Sequence, residues 1–243
     1  MTRQRADLLL VERGFFDSRS RAQAAIAAGR VRADGETVRK ASQSVPVAAV
    51  IEAEAAHPYV SRGGVKLRAA LDNFGISPAG VIAADIGSST GGFSEVLLQA
   101  GAAKVYAVDS GRDQLHQSLR AHPRLVAMEA TDARILKRDH ISEPLDMIVS
   151  DVSFISLKLA LPAALALARQ GAWLIALIKP QFEVGRKQIG KGGIVKDEAA
   201  RTAVCDDIAA WLTGVGWPVV GIAPSPLLGG DGNREFLLAA RRS

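Results

Sequence analysis

The sequence predicts an α/β chain: a Rossmann-like, mostly parallel sheet with an antiparallel last strand, behind a small α+β unit. Three observations carry this. From residue 81 onward, short apolar runs alternate with segments of helical periodicity, which implies parallel strands with helices on both faces. The last two strand-like runs, Val219–Ala223 and Glu235–Ala240, are joined only by a short Pro- and Gly-rich stretch at 224–233. That is too short for a crossover helix, so those two strands pair antiparallel. Residues 1–56 follow a different order, helix, helix, small sheet, which marks a separate unit.

In chain order, Asp7-Leu8-Leu9-Leu10-Val11 opens a helix that Gly14 ends. Ser18 caps a second helix, Arg19 to Ala28, which Gly29 terminates. Val31 and Val38 flank the hairpin turn Ala33-Asp34-Gly35-Glu36. Val45, Val47 and Val50-Ile51 suggest further short strands, and the pattern fades near Ala55-Ala56-His57-Pro58. The domain boundaries follow: 1–58 and 59–243. In the second part the expected strands are Val81–Ile86, Lys104–Asp109, Leu125–Met128, Met147–Asp151, Ala172–Lys179, Val219–Ala223 and Glu235–Ala240. The expected helices are Val65–Phe74, Gly91–Ala100, Asp113–Ala121, Leu157–Arg169 and Asp197–Thr213.

Composition narrows the function classes. Of 243 residues, 48% are hydrophobic and 23% charged, enough for a full core and unlike a disordered chain. No apolar stretch reaches membrane-span length, so no membrane partner is expected. The sequence opens without a signal-peptide pattern, and a cytoplasmic setting is expected. The single cysteine, Cys205, excludes an internal disulfide. His57, His116, His122 and His140 show no metal-ligand spacing, and no metal is expected. The net charge of +5 suggests an anionic partner. Residues 1–40 hold nine Arg or Lys against five Asp or Glu, and eight of the nine are arginine. Arginine suits phosphate because its planar fork meets two oxygens.

Chemistry concentrates at the strand ends. The run Ala172–Ile178 reads as a buried strand with Lys179 at its carboxyl end, the edge at which ligands bind in open α/β sheets. A lysine held there can take or redirect a proton. The bland alternative is a strand-end lysine reaching solvent. The first strand of the sheet ends in Asp85-Ile86-Gly87-Ser88-Ser89-Thr90-Gly91-Gly92-Phe93. Small residues at such a turn let a ligand approach the backbone. The pattern is neither the dinucleotide G-x-G-x-x-G nor a phosphate loop. Asp109, ending the second strand, is placed for two ribose hydroxyls. Asp132, beside Ala133 after the third strand, is placed for an exocyclic amine, although it reads equally well as a helix cap. These acids and the small-residue turn describe a nucleoside pocket without a phosphate site, as S-adenosylmethionine requires. Asp151 ends the fourth strand beside Lys179, as an ion pair or a proton-handling couple.

Several motifs together resemble the TlyA family: Ser61-Arg62-Gly63-Gly64-Val65-Lys66-Leu67, Asp85–Phe93, Ser150-Asp151-Val152-Ser153-Phe154, Ile178-Lys179-Pro180-Gln181-Phe182-Glu183, Lys191-Gly192-Gly193-Ile194-Val195 and Gly232-Asn233-Arg234-Glu235-Phe236. The resemblance covers nearly the whole chain. It implies a ribosomal RNA 2′-O-methyltransferase with an FtsJ-like catalytic domain, from a family often labelled haemolysins. Residues 1–56 resemble the small RNA-binding fold named after ribosomal protein S4. The resemblance places the family's Lys-Asp-Lys-Glu tetrad on Lys66, Asp151, Lys179 and Glu235, and implies cytidine as the target. It implies ribosomal RNA or ribosomal subunits as the partner. Arg3, Arg5, Arg19, Arg21, Lys40 and Arg62 would then track the RNA backbone, unless they form an ordinary solvated face. Arg186, Lys187 and Lys191 form a basic loop after the catalytic lysine, suited to closing over RNA. Phe154 and Phe182 would stack on a base or pack the core. Two other readings are a membrane-active haemolysin, which calls for a spanning or amphipathic cationic segment, and a non-catalytic RNA-binding ribosome factor, which calls for a broken tetrad.

Overall fold

The computed structural model describes residues 2–185, 189–229 and 232–243. It divides into two units, Met1–Pro58 and Tyr59–Ser243.

In the first unit, helix α1 (Ala6–Glu12) packs on α2 (Arg19–Ala27). Ser18 caps α2 by accepting from the Arg21 N–H, as its type and position predict. Gly29 turns the chain out of the helix at φ +69°. Strand β2 (Val31–Ala33) pairs with β3 (Glu36–Thr37) and with β5 (Ile51–Ala53), both antiparallel. Strand β1 (Arg3–Arg5), which the sequence pattern does not announce, pairs antiparallel with β4 (Ser44–Pro46). Three polar residues carry no hydrophobic alternation, so only the tertiary partner makes them a strand. Leu9, Leu10, Ala22, Ala25, Ile26 and Val31 form the core. Burying each leucine contributes roughly 1.5–3 kcal/mol.

The second unit is a seven-stranded sheet. Its strands are β6 (Ile82–Ile86), β7 (Lys104–Val108), β8 (Leu125–Met128), β9 (Leu145–Ser150), β10 (Ala168–Ile178), β11 (Val219–Pro224) and β12 (Phe236–Arg241), in the order β11-β12-β10-β9-β6-β7-β8. Pairing is parallel from β10 to β8, while β12 lies antiparallel between β10 and β11. Both faces are buried, and successive residues alternate between them. Ala84, Ile86, Ile148, Leu174 and Ala176 pack on one side. Ala83, Met147, Val149, Ile175 and Leu177 pack on the other. This alternation explains the near-continuous apolar runs of the central strands. Cys205 lies in the first of these cores, where burial pushes its thiol up to about 11.

Helix α3 (Arg62–Phe74) starts earlier than its pattern suggests and takes in Gly63-Gly64; α4 (Gly92–Gln99) follows β6, and α9 (Glu198–Gly214) precedes β11. Two expected helices are corrected. Asp113–Ala121 keeps only α5 (Gln117–Arg120). Asp113 has φ +54°, and the Glu129 carboxylate accepts from the Gln114 and Leu115 N–H groups, so that stretch follows a side chain instead of a helical ladder. Leu157–Arg169 splits into α6 (Leu157–Ala160) and α7 (Pro162–Leu167), and Ala168 already belongs to β10. Pro162 has no N–H to continue α6 and starts a new helix instead. The short α8 (Pro180–Glu183) follows β10. Among the described residues no helix is long and apolar enough to cross a membrane.

Candidate active site

The chain reverses its direction of sheet building at β6: β7 and β8 lie on one side of it, β9 and β10 on the other. Such a switch point opens a crevice at the carboxyl ends of the strands. A cleft of about 410 Å³ lies there, in the size range of small-molecule sites. Gly87 and Ser89 after β6, Asp109 after β7, Asp132 and Ala133 after β8, and Asp151 to Ile155 after β9 all line it.

The glycine-rich turn is shaped by close approaches. Gly87 has φ +82°, and a Cβ there would meet the Val152 backbone at 3.1 Å. Ser89 also takes a positive φ, +46°. Its N–H donates to Asp109 Oδ2 at 2.7 Å, and the Gly111 N–H donates to Oδ1 at 2.7 Å. These two bonds hold the Asp109 carboxylate against the turn with acceptor capacity left for a ligand. Asp132 caps a single 3₁₀ turn through the Arg134 N–H and also pairs with the Arg134 side chain. The cap reading holds, and the residue still lines the cleft. Arg134 keeps its carboxyl below the usual range.

Asp85 has a different place. It is fully buried behind the turn and does not line the cleft. Its Oδ2 accepts from the N–H and the hydroxyl of Ser94, tying β6 to the first turn of α4. Burial pushes its carboxyl up to about 7, and the nearby Asp151 and Asp109 charges add to the shift. Ser88, Thr90, Gly91, Gly92 and Phe93 likewise shape the turn without lining the cleft. A Cβ on Gly92 would fall 2.1 Å from Ser61 Oγ and 3.0 Å from the Gly64 nitrogen, so glycines let α3 and α4 meet closely.

The four residues on which the resemblance places the tetrad, Lys66, Asp151, Lys179 and Glu235, gather at one sheet edge. Lys179 Nζ lies 2.7 Å from Asp151 Oδ1, without hydrogen-bond alignment to it. Its hydrogen bonds go to Ser153 Oγ at 2.8 Å and to the Asp151 carbonyl at 3.4 Å. Lys66 Nζ donates to Glu235 Oε2 at 2.5 Å, and both side chains are buried. Glu235 precedes β12, whose Phe236 faces Ile178, so it sits in register beside Lys179. Gly63, in the first turn of α3, approaches Asp151 Oδ2 closely enough that a Cβ would lie 3.6 Å away. A Cβ on Gly229 would come within 2.5 Å of Glu235 Oε1. The edge is thus two lysine–carboxylate pairs held by β9, β10, β12 and α3.

Supporting residues surround this edge, and sequence reading passed over some of them. Ser153 is one; its clue is a hydroxyl two residues beyond a strand-end acid. Glu183 accepts from Ser156 Oγ and the Leu157 N–H, joining the segment after β10 to α6. Phe154 is 90% exposed, lines the cleft and takes φ +67°; its ring lies 5.1 Å from that of Phe182. Asn233 is buried and bonds Val195 N and Gly193 O.

The basic residues fall into separate settings. Arg5 and Arg19 pair with Asp7, Arg21 with Asp17, and Arg3 donates to Ser44. Lys40 is exposed. Arg62 is exposed and donates to the Leu228 carbonyl at 2.6 Å. Arg186 and Lys187 lie outside the described residues, as does the side chain of Lys191. Among the described residues no group of His, Cys, Asp and Glu is arranged to hold a metal.

A parallel sheet with an antiparallel strand inserted between its last two, and a glycine-rich turn opening on an acid-lined cleft, defines a Rossmann-like methyltransferase fold. Comparison with known proteins makes the assignment specific. Residues 59–242 match the FtsJ-like methyltransferase family and residues 4–51 the S4 domain, so this chain belongs to the FtsJ-like methyltransferases and carries an S4 domain ahead of that fold. It is 44% identical, over 98% of its length and 90% of the relative's, to the 16S/23S rRNA (cytidine-2′-O)-methyltransferase TlyA of Mycobacterium tuberculosis. Hemolysin A of Brachyspira hyodysenteriae is 38% identical over 96% of this chain and 98% of its own. A Streptococcus thermophilus structure described as a candidate hemolysin superposes with a TM-score of 0.79 at 39% identity, covering all of this chain and 90% of that one.

Proposed function

We propose that the chain transfers a methyl group from S-adenosylmethionine to the 2′-hydroxyl of a cytidine ribose in ribosomal RNA, free or within a ribosomal subunit. The observation that carries this reading is the pairing of Lys179 with Asp151 and of Lys66 with Glu235 at the strand edge that borders the acid-lined cleft. The names of the TlyA relatives supply the nucleotide and the RNA.

The cleft fits the methyl donor. Its volume suits a nucleoside. Asp109 would accept the ribose hydroxyls and Asp132 the adenine amine, framed by Ala133 and the 85–93 turn. When bound, S-adenosylmethionine supplies a methyl group on a positively charged sulfur. A ribose hydroxyl is a weak nucleophile and must lose its proton around the time it attacks. Lys179 Nζ would take or steer that proton. Asp151, with Ser153, orients Lys179, and Glu235 orients Lys66. Lys66 would hold the hydroxyl and offset the negative charge that develops on its oxygen. The S4 unit, with Arg3, Arg5, Arg19, Arg21 and Lys40, would supply RNA affinity, joined by Arg62 and by Arg186, Lys187 and Lys191. Ribosomal RNA as substrate sets this work in the cytoplasm.

The test is mass spectrometry of nuclease-digested rRNA from subunits incubated with protein and S-adenosylmethionine. One added methyl on a cytidine ribose is expected. Lys179→Ala abolishes it while circular dichroism stays native. Undiminished methylation by that variant would falsify the assignment of Lys179. Liposome leakage that survives Lys179→Ala would instead favour the membrane-active activity suggested by the hemolysin names of relatives.

A further inference from the structure

Asp7 is a fully buried carboxylate outside the catalytic edge. It lies on α1 of the S4 unit and gathers donors from three directions. Arg5 Nε bonds Oδ1 at 3.0 Å, and Arg5 Nη2 bonds Oδ2 at 3.1 Å. Arg19 Nη2 bonds Oδ2 at 2.8 Å, with Nε at 3.3 Å. Gln23 Nε2 reaches the same oxygen at 2.9 Å. Two guanidinium groups from separate elements therefore converge on a single atom. Neither uses its Nη1 group on Asp7, and the two side chains stay 47% and 53% exposed.

An exposed arginine needs no buried partner to remain in solution, and burying a carboxylate carries a desolvation penalty. What the acid adds is order: it removes rotamer freedom from both forks before any ligand arrives. One negative charge against two positive ones leaves the array cationic. Two guanidinium groups held to one carboxylate oxygen stand close together, and each keeps its Nη1 group for an oxygen of a shared phosphodiester.

We infer that Arg5 and Arg19 form a clamp for a single RNA phosphodiester, and that Asp7 is the residue that positions it. The inference rests on the RNA reading proposed above. It makes a prediction opposite in sign to simple charge counting. Asp7→Asn raises the net charge by one, which by itself tightens RNA binding. A lost positioning residue weakens it.

The experiment measures binding of the full chain to purified 16S and 23S ribosomal RNA and to the two ribosomal subunits across a salt series. Asp7→Asn is expected to bind roughly fivefold more weakly than wild type, with its thermal transition still cooperative. Equal or tighter binding overturns the positioning role. A second series decides the matter even if Asp7→Asn fails to fold. Arg5→Gln, Arg19→Gln and the double variant should each lower the slope of log affinity against log salt by about 0.7–0.9, the contribution of one phosphate. A double variant that loses twice as much overturns the shared clamp, because the arginines then grip separate phosphates. Wild type that binds neither the RNAs nor the subunits overturns the RNA reading and the clamp together. Wild type that binds while either series fails overturns the clamp alone.

Discussion

Asp85 shows how much a single side chain's setting matters. Its type and place at the end of a strand suggest a ligand-facing acid, yet it is buried behind the turn and bonded to Ser94. With its carboxyl pushed up to about 7 from an ordinary 3.8, the folded state holds a proton that the unfolded chain has released between those values. More protons bound when folded means that stability falls as pH rises through that window, and levels off above it. Urea unfolding from pH 4 to 8 should show this fall. Asp85→Asn keeps an acceptor for the Ser94 N–H and should flatten that part of the profile. An unchanged profile would remove Asp85 as its source.

At the scale of elements, the lysine–carboxylate edge depends on how closely α3 and α4 meet. Gly92 opens α4 where a side chain would strike both Ser61 Oγ and the backbone nitrogen of Gly64. The serine can rotate, but the backbone of α3 cannot move without shifting Gly63 against Asp151 and displacing Lys66. Gly92→Ala should therefore cost about 1–3 kcal/mol, as overpacking does, and lower methylation more than its stability loss explains. Thermal melting and single-turnover methylation separate the two effects. Native-like turnover would show that α3 yields without moving its lysine. The same scale explains the two misplaced helices. Pro162 breaks a pattern that is helical throughout, and Glu129 draws the 113–116 stretch away from a helix that its composition allows.

Across the whole molecule, the Lys66–Glu235 pair joins residues 169 positions apart and fastens α3 to the antiparallel strand β12. Both members are buried, so removing one leaves an uncompensated charge. Lys66→Met should destabilise the chain by about 3 kcal/mol or more. Adding Glu235→Leu should restore most of that stability without restoring methylation. Denaturant midpoints of the two variants check the first claim and rRNA methylation the second. A double variant no more stable than the single one would mean that packing, and not charge burial, holds this edge.

The sequence by itself determined the class of fold and most of its strands, and it named the candidate site residues. Alternation at period two and the small-residue turn are local properties that survive in any chain context. The short 224–233 link alone implied an antiparallel end to the sheet, and Ser18 alone announced a helix cap. Only the tertiary structure decided which acids face the cleft and which lysine meets which carboxylate. It also decided that polar Arg3–Arg5 is a strand and that Arg5 and Arg19 share one buried partner. Those outcomes depend on contacts between residues far apart in the chain, whose energies come from burial and partner geometry, and neither is written in the spacing of residue types.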